Sequence, residues 1–435
     1  MSVPLTDSTF SLLAHGYAWA PALRRAHDGA PLVRTRLMGR PTALLHGREA
    51  VALFYDEDRV RRHGALPAPV LDTLFGRGAV HTLDGLEHQV RKRMFVSLLM
   101  APDRIAALTQ RVESGWREAV PTWEGRPVVL FDEVATLLAQ AVCDWVGLPV
   151  TDDAAPEIAE DCVAMVDGFA AAGRRHRRAR RARERQEEAL ARAVEDVRGG
   201  PHPDGPFAPS RHAALAGSPL AEVAAHRGHD GALLDPHTAA VELLNIIRPT
   251  VAVAWFAVFT AHALHRHPVR AEQLRTAGPA QARAFAHEVR RFYPFVPLLG
   301  GVAARDLTFA GGEVPAGTLL LIDVYGHHHD PALWQAPYHF DPGRFLGREP
   351  PDELIPQGGG DARTGHRCPG EDLTLSLLTA LGPALADLRF AVPQQDLSIP
   401  LSRIPTRPRS GFVIETATSP SSRPPRRPLP IGGRP

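Results

Sequence analysis

The chain has 435 residues but only one lysine, Lys92, so arginine carries almost all of its positive charge. Its 49 Lys and Arg residues nearly balance its 48 Asp and Glu residues, which leaves a net charge of +1. Such a chain lacks the excess of positive charge that attracts proteins to nucleic acid or to anionic membranes. We therefore expect no nucleic-acid partner.

Cysteines and export signals are also scarce. The three cysteines, Cys143, Cys162 and Cys368, lack the paired spacing of a disulfide scaffold or a zinc site. The N-terminal sequence MSVPLTDSTFSLLAHGYAW lacks the basic segment and long apolar core of a signal peptide. The longest apolar stretch contains Arg248 and Pro249, which argues against a membrane span. These absences predict a cytoplasmic protein without a membrane span.

Helical patterns occupy most of the chain, because apolar residues recur at spacings of about three and four. The sequence indicates β structure only in short runs, such as LVRTRLMGRPTALLH and GGEVPAGTLLLIDVYG. We therefore predict a mainly α fold, with a large helical domain and a small β-rich part. The predicted helices, apart from a central one, cover residues 10–27, 47–56, 84–99, 102–120, 130–148, 174–197 and 279–293, and the last begins near Glu371.

Three segments carry unusual composition. Residues 199–219 are rich in Gly and Pro and are predicted to form a surface loop. The Pro- and Arg-rich tail, residues 418–435, is expected to be disordered, which leaves 1–417 as one domain. The helix over 174–197 begins with many arginines, which could suggest nucleic acid. Acidic residues follow them at helical spacing, so we favour a solvated face laced with ion pairs.

The run ELLNIIRPTVAVAWFAVFTAHAL, which begins at Glu242, predicts a long central helix. Asp235 suits the N-cap position and Pro236 the first helical position, where its missing N–H is not needed. A helix that continues to about His267 is roughly 45 Å long at ~1.5 Å per residue. Its apolar surface must be buried, so a fixed charge at Arg248 followed by a helix breaker is costly.

The stretch PQGGGDARTGHRCPGEDLTLSLLTAL places Cys368 in a glycine-rich loop directly before a helix. The positive end of a helix favours a thiolate, and we expect Arg367 and His366 to strengthen that effect. Glycines beside a thiolate also let a flat, bulky ligand approach closely. Two other interpretations remain open: a buried free cysteine, as we assign to Cys143 and Cys162, or a redox or nucleophilic cysteine paired with a histidine.

This loop resembles the haem-thiolate loop of the cytochromes P450, and the resemblance extends over nearly the whole chain. It implies haem b, with Cys368 as the axial ligand of the iron and Gly370 two residues further on. His366 stands where a basic residue usually binds a haem propionate, and Arg62 is another propionate partner by resemblance. The loop departs from the family pattern at Asp361, seven residues before the cysteine, where a phenylalanine is usual.

Further motifs match the family in order and spacing. The sequence HEVRRF supplies Glu288 and Arg291 as a Glu-x-x-Arg pair, and FDPGRF supplies Arg344 as the third member of an ion network. Buried charges are tolerated when each has a partner, so we assign these three residues a structural role. In LDGLEHQVRKRMF, His88 and Lys92 lie one helical turn apart and can face the same haem propionate.

In most P450 enzymes the long helix over the haem carries an acid–alcohol pair that delivers protons to bound dioxygen. Here Ile247 is followed by Arg248 and Pro249, and the nearest hydroxyl, Thr250, is rotated by roughly 100° around the helix. The helical neighbours of Arg248 are not acidic, so its anion must be a distant Asp or Glu, a haem propionate or the substrate. Pro249 is predicted to kink the helix and make room beside the haem.

An Arg-Pro pair at this place resembles the fatty-acid peroxygenase branch of the family. The resemblance implies that Arg248 binds the carboxylate of a long-chain fatty acid, that hydrogen peroxide is the co-substrate and that no redox partner is obligatory. The bound carboxylate then acts as the general acid–base, with Pro249 beside it. Competing hypotheses are a conventional reductase-dependent monooxygenase and a haem protein without catalytic activity.

The segment LFGRGAVHTLDG bears on the product. By resemblance Phe75 lies near the substrate and His81 near the haem, where a histidine is associated with alkene-forming members and can hold or donate a proton near neutral pH. We therefore expect α- or β-hydroxy fatty acids together with terminal alkenes formed by decarboxylation. The resemblance also assigns Phe169, Phe295 and Pro297 to an apolar pocket for the alkyl chain.

Overall fold

The computed structural model describes residues 6–416 with the exception of 149, 152, 200–215 and 277. Helices make up most of the described chain, in agreement with the predicted fold class. The α-helices, in chain order, are α1 Thr9–His15, α2 Trp19–Arg25, α3 Arg48–Phe54, α4 Ala68–Val70, α5 Gly85–Leu99, α6 Pro102–Ala119, α7 Leu130–Val146, α8 Ala155–Gly168, α9 Arg174–Gly199, α10 Pro219–Ala225, α11 Pro236–Val251, α12 Val253–Arg266, α13 Pro268–Arg275, α14 Pro279–Phe292, α15 Val324–His328 and α16 Glu371–Asp387.

The β structure is small and joins distant parts of the sequence. The largest sheet has the strand order β1-β2-β8-β5-β3. Its β1–β2 hairpin is antiparallel, with Leu32 opposite Leu45, and β2 runs parallel to β8, with Thr42 opposite Leu319. The first predicted β run and the Leu319–Asp323 part of the second therefore meet in one sheet, whereas Gly312–Val314 of the second run belongs to a separate two-stranded sheet. The strands are β1 Leu32–Leu37, β2 Arg40–Leu45, β3 Val60–Arg61, β4 Pro127–Val129, β5 Leu298–Ala303, β6 Leu307–Phe309, β7 Gly312–Val314, β8 Leu319–Asp323, β9 Phe390–Ala391 and β10 Val413–Thr416.

The predicted helix over residues 10–27 is interrupted at Gly16. This glycine has a φ of +56°, and a β-carbon there would lie 2.4 Å from the carbonyl oxygen of Leu401. The interruption therefore depends on a segment far away in sequence, which local periodicity does not reveal. The predicted loop over 199–219 lies mostly, and the predicted tail over 418–435 entirely, outside the described residues.

The predicted central helix forms as α11 and α12, which are buried and pack against α7. The Asp235 carboxylate accepts a hydrogen bond from the Thr238 N–H at 2.9 Å, so it caps α11 as predicted. Residues Pro236–Arg266 are long and apolar enough to cross a membrane, but 94% of their most apolar window is buried inside the fold. Such burial is typical of the core helix of a globular protein.

The two helices are separated at Ala252, just beyond Pro249. Because Pro249 has no N–H, the Asn245 carbonyl loses its helical partner. The Ala252 N–H still bonds to the Arg248 carbonyl at 3.0 Å, but the Trp255 N–H bonds three residues back, to Ala252, at 3.1 Å. This tightened turn interrupts the helix after the proline, whereas a proline more often disturbs the turn that precedes it.

His327 on α15 is a fully buried histidine, and neither ring nitrogen has a hydrogen-bond partner among the described residues. Burial, followed by the nearby His46, lowers the pKa of His327 from 6.5 to about 3. Between those values the unfolded chain binds more protons than the folded protein. The contribution of His327 to stability is therefore complete above pH 6.5 and is lost as the pH falls toward 3.

In wild type, the free energy of unfolding should fall when the pH is lowered from about 7.5 to about 5.5. We predict that this fall is smaller in His327→Leu, by up to ~1.4 kcal/mol for each pH unit below the pKa of the unfolded histidine. The measurement is the free energy of unfolding in urea at both pH values. His27→Leu, at an exposed position, is the control and should keep the wild-type pH dependence. Equal pH dependence in His327→Leu and wild type would contradict the prediction.

Candidate functional site

The loop that carries Cys368 is folded against Tyr55. Gly358 has a φ of +98°, and a β-carbon there would lie 2.6 Å from the Tyr55 hydroxyl oxygen. The Cys368 N–H donates to the Gln357 carbonyl oxygen at 3.0 Å, and the Gln357 amide nitrogen lies 3.6 Å from Sγ. The glycines before the cysteine therefore serve packing on Tyr55. The predicted close approach of a ligand fits Gly370 instead, where an added β-carbon would lie 3.7 Å from Sγ.

The Cys368 side chain is partly buried, and burial raises the pKa of its thiol above the ordinary value. A backbone hydrogen bond and the charge of Lys92 oppose this effect, whereas the Glu371 carboxylate adds to it. Arg367, which is predicted to favour the thiolate, instead donates to Glu371 at 2.7 Å. The prediction that Arg367 and His366 stabilise the thiolate is therefore wrong. A bound metal ion is a group that ionises a buried thiol.

Four predicted cofactor-binding residues meet beside this loop. The rings of His88 and His366 stack with centroids 3.8 Å apart, and Lys92 Nζ donates to the Arg367 carbonyl oxygen at 2.5 Å. Burial, followed by the charge of Arg62, lowers the pKa of His366. Buried Nη1 of Arg62 and Nδ1 of His88 have no hydrogen-bond partner within the described part of the chain. The group therefore has open donors for an anion.

The predicted ion network forms next to this region. Glu288 and Arg291 are buried on α14, and Arg291 donates to the two carboxylate oxygens of Glu288 at 2.7 and 2.8 Å. Arg344 Nε lies 3.3 Å from the same carboxylate. Arg291 also donates to the His328 and Pro337 carbonyl oxygens at 2.8 and 3.0 Å, so the network ties α14 to the end of α15 and to the segment that follows it.

Arg248 is 6% exposed, and no carboxylate among the described residues pairs with it. Its Nη2 donates to Asn245 Oδ1 at 3.1 Å, and its buried Nε has no partner in that part of the chain. Burial and then the charge of Arg183 lower its pKa to about 9, so it keeps its proton at neutral pH. The sequence predicts a distant Asp or Glu, a haem propionate or the substrate as the anion for Arg248. Since no carboxylate of the described residues pairs with it, a haem propionate and the substrate remain.

Phe75 and His81 lie beside Arg248. The Phe75 ring centroid is 5.7 Å from the Arg248 guanidinium carbon and 4.4 Å from the His81 ring. Burial, followed by the charge of Arg248, lowers the pKa of His81 to about 3. His81 is therefore neutral near pH 7, contrary to the prediction that it can hold an additional proton there. As a neutral imidazole it still offers one hydrogen-bond donor and one acceptor.

Glu242 is a buried carboxylate whose role the sequence reasoning misses. Its Oε1 accepts from Arg91 Nη1 at 2.6 Å and from the Val80 N–H at 2.8 Å, and its Oε2 accepts from Asn245 Nδ2 at 3.3 Å. Since Asn245 also contacts Arg248, the carboxylate supports the group around that guanidinium. The available signal was an acid in an apolar helix, because buried acids almost always have partners.

The remaining predicted substrate residues pack along the main core. Phe295 lies 5.0 Å from Phe256 and 5.9 Å from Trp255, measured between ring centroids, so it borders α12. Phe169 directly follows α8 and is partly buried against the same core. The Pro297 carbonyl accepts from the Val324 N–H at 3.3 Å. Phe295 and Phe169 therefore add apolar surface to the core that contains α11 and α12, whereas the structure ties Pro297 to Val324.

Known structures resemble this one over nearly the whole chain. A variant of cytochrome P450SP alpha (CYP152B1) has a TM-score of 0.87 and 40% identity, and the match covers 94% of this chain and 98% of that chain. The chain belongs to the cytochrome P450 superfamily. A variant of cytochrome P450 OleT in complex with arachidonic acid also has a TM-score of 0.87, with 33% identity over 95% of this chain and 98% of that chain.

Sequence comparisons agree with this assignment. The cytochrome P450 family model matches residues 282–413. Taurochenodeoxycholic 6 alpha-hydroxylase of Sus scrofa is 33% identical over 132 residues, which are 30% of this chain and 24% of that protein. The predicted P450 fold and the predicted membership in the fatty-acid peroxygenase branch, to which the CYP152 neighbours belong, are confirmed.

The P450 family implies haem, and the residues present fit that group. The sulfur of the partly buried Cys368 would ligate the iron. Arg62, His88, Lys92 and His366 would hold the two propionates, because Arg62 and His88 have buried nitrogens without hydrogen-bond partners in the described chain. When Cys368 is ionised, its charge also opposes the lowering of the Arg248 pKa.

We predict that Glu242→Gln lowers the free energy of unfolding by about 3–5 kcal/mol, because it leaves the buried Arg91 charge without a counter-ion. The measurement is chemical unfolding of the holoenzyme. Glu184→Gln, which breaks an exposed ion pair with Arg180, should change stability by only ~0.5 kcal/mol. Burial raises the pKa of Glu242; similar small changes in both variants would mean that Glu242 is held protonated.

Proposed function

We propose that this P450 is a peroxygenase that uses hydrogen peroxide to oxidise long-chain fatty acids at Cα or Cβ. Its products are α- or β-hydroxy acids and, by oxidative decarboxylation, terminal alkenes. The observation that carries the proposal is the buried Arg248, which has no carboxylate partner among the described residues. A related OleT variant, solved with arachidonic acid, supports a long-chain acid as the ligand.

Arg248 binds the substrate carboxylate in this proposal. A guanidinium offers parallel donors that match the two carboxylate oxygens, and Nε of Arg248 is buried without a partner in the described chain. Asn245 holds Nη2 from one side at 3.1 Å. The guanidinium therefore has a limited choice of orientations, and the bound carboxylate is fixed against the Phe75 side of the site. Pro249 belongs to this arrangement because it frees the turn beside Arg248 from a regular helix.

The bound carboxylate replaces the acid–alcohol pair of most P450 enzymes. The Thr250 hydroxyl donates to the Ile246 carbonyl at 2.8 Å, so it is engaged within the helix. Glu242 is surrounded by Arg91, Asn245 and the Val80 N–H. The substrate carboxylate is therefore the group free to accept a proton of hydrogen peroxide on one oxygen and to return it. General acid–base assistance of this kind contributes about 100- to 10,000-fold to a rate.

The chain holds the cofactor through residues already described. Cys368 would ligate the iron, and Arg62, His88, Lys92 and His366 would bind the propionates. When bound, haem supplies the redox chemistry that cleaves peroxide and oxidises the substrate, and its thiolate ligand favours O–O cleavage. Glu288, Arg291 and Arg344 stabilise the surrounding fold. Residues 1–417 form the haem domain in this proposal, and no redox partner is required.

His81 affects which product forms. Its ring lies 4.4 Å from that of Phe75, beside the Arg248 site. Because His81 is neutral, it can donate a hydrogen bond to the substrate carboxylate without adding a second positive charge. A substrate held by both His81 and Arg248 keeps its carboxyl group oriented for loss of carbon dioxide. Phe75, with Phe169, Phe295 and Pro297, provides apolar walls for the alkyl chain.

The activity is tested with the purified holoenzyme, a long-chain fatty acid and hydrogen peroxide, without reductase. We predict that Arg248→Ala lowers peroxide-driven turnover by about 100- to 10,000-fold, because the substrate carboxylate is no longer positioned as acid–base. Arg111→Ala, at an exposed position on α6, is the control. Products are measured by mass spectrometry, and fatty-acid binding by the absorbance change of the haem.

Three outcomes would contradict the proposal in different ways. Full activity of Arg248→Ala would contradict the role assigned to the guanidinium. Turnover that requires added redox partners would identify a conventional monooxygenase. A haem-loaded protein without product in either assay would identify a non-catalytic haem protein.

We predict that His81→Gln shifts the products toward hydroxy acids, because glutamine changes the donor and acceptor positions beside the bound carboxylate while remaining neutral. The alkene-to-hydroxy-acid ratio is measured by mass spectrometry at equal turnover. His63→Gln, at an exposed position, should keep the wild-type ratio. An unchanged ratio in His81→Gln would reject the assigned role.

A further inference from the structure

A polar cavity of about 330 Å³ lies on the outer side of the Phe75 segment. Its rim is formed by Arg77, Arg180 and His237, whose side chains are 68%, 60% and 59% exposed. Its inner end is formed by Gly76 and Arg183, which are both buried. The cavity therefore runs from solvent toward the interior, and its lining is mostly ionic.

Arg183 is the charged residue at the inner end. It is only 2% exposed, although the sequence predicts a solvated face for this helix. Its Nε donates to Glu187 at 2.6 Å and its Nη1 to the Leu74 carbonyl oxygen at 2.6 Å. The buried Nη2 has no hydrogen-bond partner in the part of the chain that the structure describes. The inner end of the cavity thus retains one buried hydrogen-bond donor for a small polar molecule.

Gly76 packs directly against that donor at the inner end of the cavity. A β-carbon on Gly76 would stand 2.2 Å from Arg183 Nη2 and 2.7 Å from Val241 Cγ1. Both distances are too short for real contacts, so Arg183 and Val241 already occupy the space that a side chain at position 76 would need. The inner end is therefore the narrowest part of the cavity, and a side chain at this one position would narrow it further.

The segment at the inner end of the cavity is also the wall of the Arg248 site. The Phe75 carbonyl accepts from Asn245 Nδ2 at 2.9 Å, and its ring lies 5.7 Å from the Arg248 guanidinium carbon. Leu74 and Gly76, on either side of Phe75, contact Arg183. A single layer of residues therefore separates the cavity from the group that is proposed to bind the substrate carboxylate.

We propose that this cavity is the route by which hydrogen peroxide reaches the Arg248 site, separate from the apolar pocket that takes the alkyl chain. The inference rests on the proposed peroxygenase function. Peroxide is small and both donates and accepts hydrogen bonds, which suits an ionic passage with a free guanidinium N–H at its inner end. An alkyl chain would have to desolvate those ion pairs, which is unfavourable. The fatty acid fills the apolar pocket, and the co-substrate uses the polar passage.

The test compares Gly76→Ala with Gly78→Ala. Both glycines have left-handed backbones, with φ of +85° and +75°, so both substitutions introduce similar local strain. At Gly78, however, the nearest atom to an added β-carbon is Thr238 Oγ1 at 3.9 Å. Only Gly76→Ala therefore narrows the passage. Val241→Ala is the opposite variant, because it removes side-chain atoms that pack against Gly76.

We expect Gly76→Ala to raise the KM for hydrogen peroxide by about tenfold or more, while the dissociation constant of the fatty acid stays within about twofold of wild type. The second measurement is the rate at which cyanide binds the ferric holoenzyme, followed by stopped-flow absorbance without any substrate. That rate should fall in Gly76→Ala, rise in Val241→Ala and remain at the wild-type value in Gly78→Ala.

Equal cyanide rates and equal peroxide KM values in Gly76→Ala and Gly78→Ala would overturn the proposal. A weaker affinity for fatty acid in Gly76→Ala, with an unchanged cyanide rate, would also overturn it, because the segment would then only support Arg248. The cyanide measurement needs no turnover. Failure of the proposed function is separately visible as wild-type enzyme that forms no product from fatty acid and peroxide.

Discussion

A positive charge buried without an anion is the constraint on which the rest of the site depends. Arg248 stays protonated although burial lowers its pKa to about 9, and Asn245 is its hydrogen-bond partner. Removing a charge from water costs several kcal/mol unless a counter-ion compensates. The surrounding fold must offset that cost, which explains why Asn245 is itself held by Glu242 and Glu242 by Arg91. The buried, unpaired charge of Arg248 therefore both destabilises the free protein locally and gives the site its affinity for a carboxylate.

The cofactor side repeats this arrangement. Lys92 favours the ionised form of Cys368, whose pKa burial raises, and Arg62 has a buried N–H without a partner in the described residues. A bound haem would offer its propionates to these cations and its iron to the sulfur. Ligands that bind the folded state alone stabilise it by mass action. On both sides of the site, ligands would thus neutralise positive charges of the folded chain. This neutralisation is the reason why the folded chain favours their binding.

The features that could be predicted from sequence are those with local signals. The cap at Asp235 and the two β runs follow from spacing and residue type, and Cys143 and Cys162 are free and buried as predicted. The ion network of Glu288 and the group of Phe75, His81 and Arg248 could be named from resemblance, and the structure brings the members of each group together.

The missed features depend on contacts between distant segments. Glu242 meets Val80 and Arg91 only after α11 packs on the loop before α5, and Arg183 is buried because its helix faces Leu74. The same reason explains the wrong expectations about protonation. Burial is the main cause of the shifted pKa values of His81 and Cys368. Burial depends on packing between distant segments, which the neighbouring residues in the sequence do not reveal.

The choice of arginine at the centre of the site also follows from burial. Lys92 has more opposite charge nearby than Arg248, since Cys368, Asp361 and Glu57 all favour its charged form. Burial nevertheless lowers the pKa of Lys92 from 10.5 to about 8. Arg248 lacks such carboxylates and begins from 12.5, so its pKa of about 9 still leaves it charged. A lysine there would begin lower and receive less support, and would lose its proton more readily. A guanidinium keeps its charge in this environment and presents two parallel donors to a carboxylate. Burial in the last turn of α11 therefore favours arginine as the group that is proposed to receive the substrate.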